Sequence, residues 1–69
     1  KGKITAIGGL DLKILGGIEA GATKFIYPSE NSKDYQEFYD NLDDKNILKD
    51  IYFYEVSTIE EVLEIILLD

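Results

Sequence analysis

Lys24-Phe25-Ile26-Tyr27-Pro28-Ser29-Glu30-Asn31-Ser32-Lys33-Asp34-Tyr35-Gln36-Glu37-Phe38-Tyr39-Asp40-Asn41-Leu42 is the stretch that decides the fold. Its first four residues read as a strand, and Pro28, which cannot donate to a sheet ladder, ends it. Asn31 or Ser32 can cap the helix that follows. Tyr35, Phe38, Tyr39 and Leu42 stand at i, i+3, i+4 and i+7, the apolar face of an amphipathic helix. Asp43-Asp44-Lys45-Asn46 is a polar turn, and Ile51–Val56 reads as the next strand. Strands joined by a helix of this length favour parallel pairing with a right-handed crossover.

The same unit extends in both directions. Lys3-Ile4-Thr5-Ala6-Ile7 alternates and is β-branched, so it reads as a first strand closed by Gly8-Gly9. Leu10–Ala20 follows as a helix, with Leu10, Ile14, Gly17 and Ile18 on one stripe and Gly21 as its stop. Beyond the last strand, Thr58-Ile59-Glu60-Glu61 is a capping-box start to a third helix. The expected class is α/β: three successive strand-helix units around a mainly parallel sheet. In the third helix Ile59, Val62, Leu63, Ile66 and Leu67 make a buried stripe that Ile65 and Leu68 widen almost all the way round. A helix apolar on most of its surface is covered on more than one side. Ile65–Leu68 is therefore expected to pack against another part of the parent protein or a neighbouring subunit, the alternative being a frayed, partly exposed C-terminus.

Sixty-nine residues leave room for one small domain or a piece of a larger one. The chain has no Cys, His, Met or Trp. Without Cys or His there is no thiol nucleophile, no Ser-His-Asp triad and no Cys/His zinc or haem site. A chain that opens on Lys1 and holds no Met is expected to be cut from something longer. Residues 1–28 carry four lysines against Asp11 and Glu19, whereas residues 29–69 carry three lysines against twelve acids. So acidic a half repels a phosphate backbone, and no nucleic acid is expected to bind through it. No run approaches the roughly 18 apolar residues of a membrane span, so no membrane partner is expected either.

Most chemical motifs fail at once. Gly8-Gly9 before a helix suggests a phosphate cradle, but no Gly-Lys-Ser/Thr follows, and a Gly-Gly turn is the simpler reading. A calcium loop starting at Asp40 needs an oxygen ligand at its third position and Gly at its sixth, where the chain has Leu42 and Lys45. Ser29, Ser32 and Ser57 sit where caps and turns belong and have no histidine partner. Lys13 is the exception. It lies in the first turn of its helix, with Leu10 at i−3 and Gly16 and Gly17 at i+3 and i+4. Two mid-helix glycines cost about 1.5–2 kcal/mol relative to alanine, a cost tolerated where something approaches the helix closely. The positive end of the helix dipole and partial burial both push an ammonium towards the neutral amine, which can take a proton from a hydroxyl. An ordinary surface lysine fits the same residues, and the spacing alone leaves both readings open.

Three motifs carry a resemblance. Gly2 to Gly21, with Gly8-Gly9 followed by a lysine-bearing helix and Ala20-Gly21, resembles the catalytic-lysine segment of the Lon protease family. Tyr27-Pro28-Ser29-Glu30-Asn31-Ser32-Lys33-Asp34 resembles the family's Pro-x-Glu-Asn-x-x-Asp stretch. Val56-Ser57-Thr58-Ile59-Glu60-Glu61-Val62-Leu63 resembles its closing Val-x-Thr-Ile-Glu-Glu-Val-Leu helix. The match covers essentially the whole chain in the right order.

The resemblance implies that residues 1–69 are the C-terminal fragment of a Lon-type proteolytic domain, with the ribosomal protein S5 domain 2-like fold. It implies an ATP-dependent serine endopeptidase that degrades misfolded or regulatory proteins with a Ser-Lys dyad, in protein quality control. Lys13 matches the family's general-base lysine. The implied partners are the remainder of the proteolytic domain, an AAA+ module, a hexameric ring of copies and unfolded protein substrates. The implied location is cytoplasmic, with the mitochondrial matrix as alternative. No cofactor is expected in this segment, since ATP and magnesium belong to the AAA+ module. The family's Gly-Pro-Ser-Ala-Gly serine stretch is absent from these residues, so the isolated segment is expected to be inactive. Asp11-Leu12 replace the usual Lys-Glu, and Gly16-Gly17 replace a common Ala-Ala. A Lon-like assembly or binding domain without proteolysis is the other reading.

Overall fold

A computed structural model describes residues 2–67. Helix α1 spans Leu10–Glu19, strand β1 Lys24–Pro28, helix α2 Ser32–Asn41, strand β2 Tyr52–Val56 and helix α3 Ile59–Ile66. Short 3-10 turns at Ser29–Asn31 and Lys45–Leu48 lie on either side of α2. Strands β1 and β2 pair in parallel, with Lys24 opposite Tyr52 and Pro28 opposite Val56, and α2 lies in the connection between them. The molecule is α/β, as the sequence indicates.

Alternation along the paired strands sends Phe25, Tyr27 and Phe53 to one side, where α1 and α2 cover them. Leu10 and Ile14 of α1, Tyr27 and Phe38 form the buried cluster, with Ile18, Tyr35 and Leu42 packed around it. These follow the stripes expected of both helices, except that Tyr39 of the α2 stripe is exposed. Tyr35 stands at the centre of an aromatic layer, 5.2 Å from Tyr27 in a stacked pair and 4.9 Å from Phe53 in a tilted one. Such pairs add about 0.5–1.5 kcal/mol each beyond their buried area. The Tyr27 hydroxyl donates to Glu55 across the strands at 3.2 Å. Burial, then the Glu55 carboxylate, raise the Tyr27 phenol to about 12.

The expected first strand, Lys3–Ile7, does not form. Only Lys3 makes an isolated antiparallel bridge, to Thr58, while the Ile4 N–H reaches the Ser57 carbonyl and Gly2 accepts from the Ile59 N–H. Two-residue alternation shows that a stretch can run extended, but a strand also needs a free edge to pair with. Here side chains take the Ala6 and Ile7 N–H groups: Ala6 donates to Glu30 Oε1 and Ile7 to Asn31 Oδ1. Among the described residues the sheet therefore has two strands, not three.

Helix α3 starts with the expected capping box. Thr58 Oγ1 accepts from the Glu61 N–H, and the Glu61 carboxylate accepts from the Ser57 and Thr58 N–H groups. Those backbone bonds hold the Glu61 carboxyl below its ordinary range. Its apolar faces come out differently from expectation. Val62 and Ile65 are half-buried, whereas Ile59, Leu63, Ile66 and Leu67 of the expected buried stripe are exposed. Helix α3 touches β2, and the side turned to the chain is the one carrying Val62 and Ile65. Leu68 lies outside the described residues.

Candidate active site

The candidate site begins at a turn. Gly9 takes φ +66°, a left-handed conformation that suits glycine, and its carbonyl accepts from the Lys13 N–H at 3.0 Å. That turn sets α1 off from the extended residues before it and places Lys13 one turn into the helix. Leu10 and Ile14, on either side of Lys13 in sequence, are buried, and Ile14 is 1% exposed. The backbone that carries Lys13 is thus held by the core.

Lys13 itself is exposed, and no described residue makes a hydrogen bond or ion pair with its Nζ. The partial burial expected for its stem is not supplied by residues 2–67. The surface beside it is apolar and bare: Leu12 is 72% exposed, and a Cβ at Gly16 would meet nothing within 4 Å. The adjacent glycine differs, because a Cβ at Gly17 would lie 2.5 Å from Phe25 Cε1. Gly17 admits a ring from within the chain, and Gly16 leaves backbone open on the outer surface.

An open groove of about 440 Å³ lies between the start of α1 and α2, lined among others by Ile7, Gly8, Leu15 and Phe38 with Asp11 and Asp34. Lys13 does not line it. The three serines separate as well. The Ser29 and Ser57 hydroxyls bond each other at 2.8 Å across the ends of β1 and β2, in place of the capping roles expected of them. Ser32 opens α2 without a side-chain cap bond.

Asn31, one of the two residues expected to cap α2, occupies the N-cap position, but its side chain is used elsewhere. The Asn31 side chain does not cap α2. It is fully buried, and its amide closes a two-way pair with the Ile7 backbone: Ile7 N–H donates to Oδ1, and Nδ2 donates to the Ile7 carbonyl, both at 2.9 Å. The second Nδ2 hydrogen goes to Asp34 Oδ2 at 2.8 Å. Glu30 takes the Ala6 N–H at 2.9 Å and stands 3.8 Å from the Lys3 ammonium. No local spacing signals this contact, which joins residues 24 apart in sequence.

Comparison with known proteins agrees along the full length. Residues 1–69 match the family model described as the Lon protease (S16) C-terminal proteolytic domain. The Lon protease of Dictyoglomus thermophilum is 38% identical over 69 residues, covering all of this chain and 8% of that protein. That of Porphyromonas gingivalis is 39% identical over 69 residues, again all of this chain and 8% of the relative. That of Leptospira interrogans is 41% identical over 61 residues, 88% of this chain and 7% of the relative. No solved structure gives a match.

Proposed function

Since the chain belongs to the family of Lon protease C-terminal proteolytic domains, we propose that it is the C-terminal part of a Ser-Lys endopeptidase domain in which Lys13 is the general base. The chain spans about 8% of the length of the curated relatives it matches. The nucleophilic serine is accordingly assigned to polypeptide beyond these residues. The observation that carries the reading is the contrast at α1. The helix is anchored through Leu10 and Ile14, while Lys13 stays approachable beside Leu12 and the open Gly16. A general base needs a fixed backbone and a reachable proton acceptor.

The chemistry runs in two halves. A serine hydroxyl brought to Lys13 gives its proton to the neutral amine as the oxygen attacks the scissile carbonyl carbon. The ammonium then returns that proton to the leaving amine as the C–N bond breaks, leaving an ester. Water, deprotonated by the same amine, hydrolyses the ester and restores the serine. In this reading residues 2–67 are one portion of an S5 domain 2-like fold, and Leu12, Leu15 and α3 meet the remainder. ATP and magnesium act in an AAA+ module of the same protein, which assembles as a hexameric ring in the cytoplasm, or alternatively the mitochondrial matrix, and takes unfolded proteins as substrates.

The test is Lys13→Ala in the full-length protein that carries this segment. Peptide cleavage is expected to be lost while ATPase activity persists. Undiminished cleavage removes Lys13 from the chemistry. A wild-type protein that hydrolyses ATP but cleaves no peptide supports the assembly or binding reading instead.

A further inference from the structure

We infer that Asn31, with Glu30 beside it, is a positioning residue that fixes where the Lys13 helix begins. This rests on the reading of Lys13 as the general base.

The path is short and traceable. Ala6 and Ile7 precede a pair of glycines, and a Cβ at Gly8 or Gly9 would meet nothing within 4 Å. No side chain at either glycine packs the turn, which is anchored on its C-terminal side by the buried Leu10. What holds it on its N-terminal side is the turn Ser29–Asn31, 24 residues away, through three hydrogen bonds to Ala6 and Ile7. The Asn31 carboxamide pairs with the Ile7 N–H and C=O as a neighbouring strand's peptide group would. Asp34 takes the remaining Nδ2 hydrogen, which fixes the amide's orientation. With Asn31 fully buried and every one of these groups partnered, the contact has one geometry.

Leu10 and Ile14 hold the helix axis against the core. The tether adds the approach to its first turn and, through Gly9, the place of Lys13 along that axis. A displacement of about 1 Å in a catalytic group costs on the order of 100-fold in rate. The tether makes no bond to Lys13 and acts only through the backbone that leads to it, so its loss is expected to lower turnover more than substrate binding.

The experiment measures peptide cleavage by the full-length protein with Asn31→Ala, Glu30→Ala, Glu30→Gln and, in parallel, Lys13→Ala. Rates are expressed per folded molecule, and thermal melting determines the folded fraction. Asn31→Ala is expected to lower kcat about 100-fold with KM within about twofold. Glu30→Ala, which loses a single exposed bond, is expected to lower kcat a few-fold. Glu30→Gln keeps the Oε1 acceptor for Ala6 and is expected to restore wild-type kcat. If Asn31→Ala does not fold, the Glu30 pair decides alone. Wild-type kcat per folded molecule in Glu30→Ala, or equal losses in Glu30→Ala and Glu30→Gln, overturns the inference. Full cleavage by Lys13→Ala overturns the base reading instead, so the two failures are told apart.

Discussion

Ile14 on α1 is 1% exposed, and Leu63 on α3, an apolar residue of similar size on the better-capped helix, is 53% exposed. Around Ile14, two helices and one face of a two-stranded sheet close an aromatic layer within the chain. Around Leu63, nothing in residues 2–67 offers a second surface, and α3 contributes no buried residue. The difference teaches that capping and amphipathic spacing make a helix, while burial depends on whether another element lies opposite. The first region is a core. The second is a helix that turns Val62 and Ile65 to the chain and leaves Ile59, Leu63, Ile66 and Leu67 facing outward.

The largest expected effect separates the two directly. Ile14→Ala removes buried methyl groups from the closed layer and is expected to cost about 2–5 kcal/mol, whereas Leu63→Ala is expected to stay within about 0.5 kcal/mol. Denaturant unfolding of the 69-residue chain measures both, and a comparable loss at Leu63 would erase the distinction. Next come the adjacent glycines of α1. Gly17→Ala pushes a methyl group against the Phe25 ring and is expected to destabilise by about 1–3 kcal/mol. Gly16→Ala meets open space and is expected to stabilise by about 0.5–1 kcal/mol. Opposite signs at neighbouring positions would sharpen the boundary between inward and outward backbone.

The smallest effect is a titration that loosens the two regions from opposite ends of the pH scale. Glu61 is held below its ordinary carboxyl range by the Ser57 and Thr58 N–H groups, so its contribution to the α3 cap is present at neutral pH and lost as pH falls through the acid range. Tyr27 is the reverse case. Its folded phenol lies at about 12 against an ordinary value of 10.0, so the folded state holds the proton more tightly. Its contribution is complete below pH 10 and is lost as pH rises from there to about 12. Amide hydrogen exchange followed against pH is expected to show α3 opening first on acidification, with the aromatic layer weakening only in alkali. Glu61→Gln should flatten the acid limb alone.

Much of this was legible from local spacing. Tyr35, Phe38, Tyr39 and Leu42 declare α2, the Thr58–Glu61 box declares the start of α3, and both features depend on residues within one or two helical turns. Asn31 was not legible in the same way. Read locally, it is a cap. Its actual partner is Ile7, 24 residues earlier, and no sequence period encodes a contact between two loops. The misread Lys3–Ile7 strand has the same origin, since alternation says nothing about which edge is free. For the site, the sequence picked out Lys13 and its family motifs. It did not show that Lys13 would stand uncovered on the outer side of α1, because exposure depends on what packs opposite.

By itself the sequence determined the class, the order of helices and paired strands, the capping of α3 and the membership in the Lon proteolytic family, because periodicity, turn chemistry and motif strings are properties of neighbours along the chain. Tertiary structure alone decided that Ala6 and Ile7 bond to side chains instead of a neighbouring strand, that Phe25 fills the space beside Gly17 while Gly16 stays bare, and that α3 turns Val62 and Ile65 inward. Each of those outcomes depends on which distant surface arrives opposite a given residue, and that is set by the packing of the whole chain.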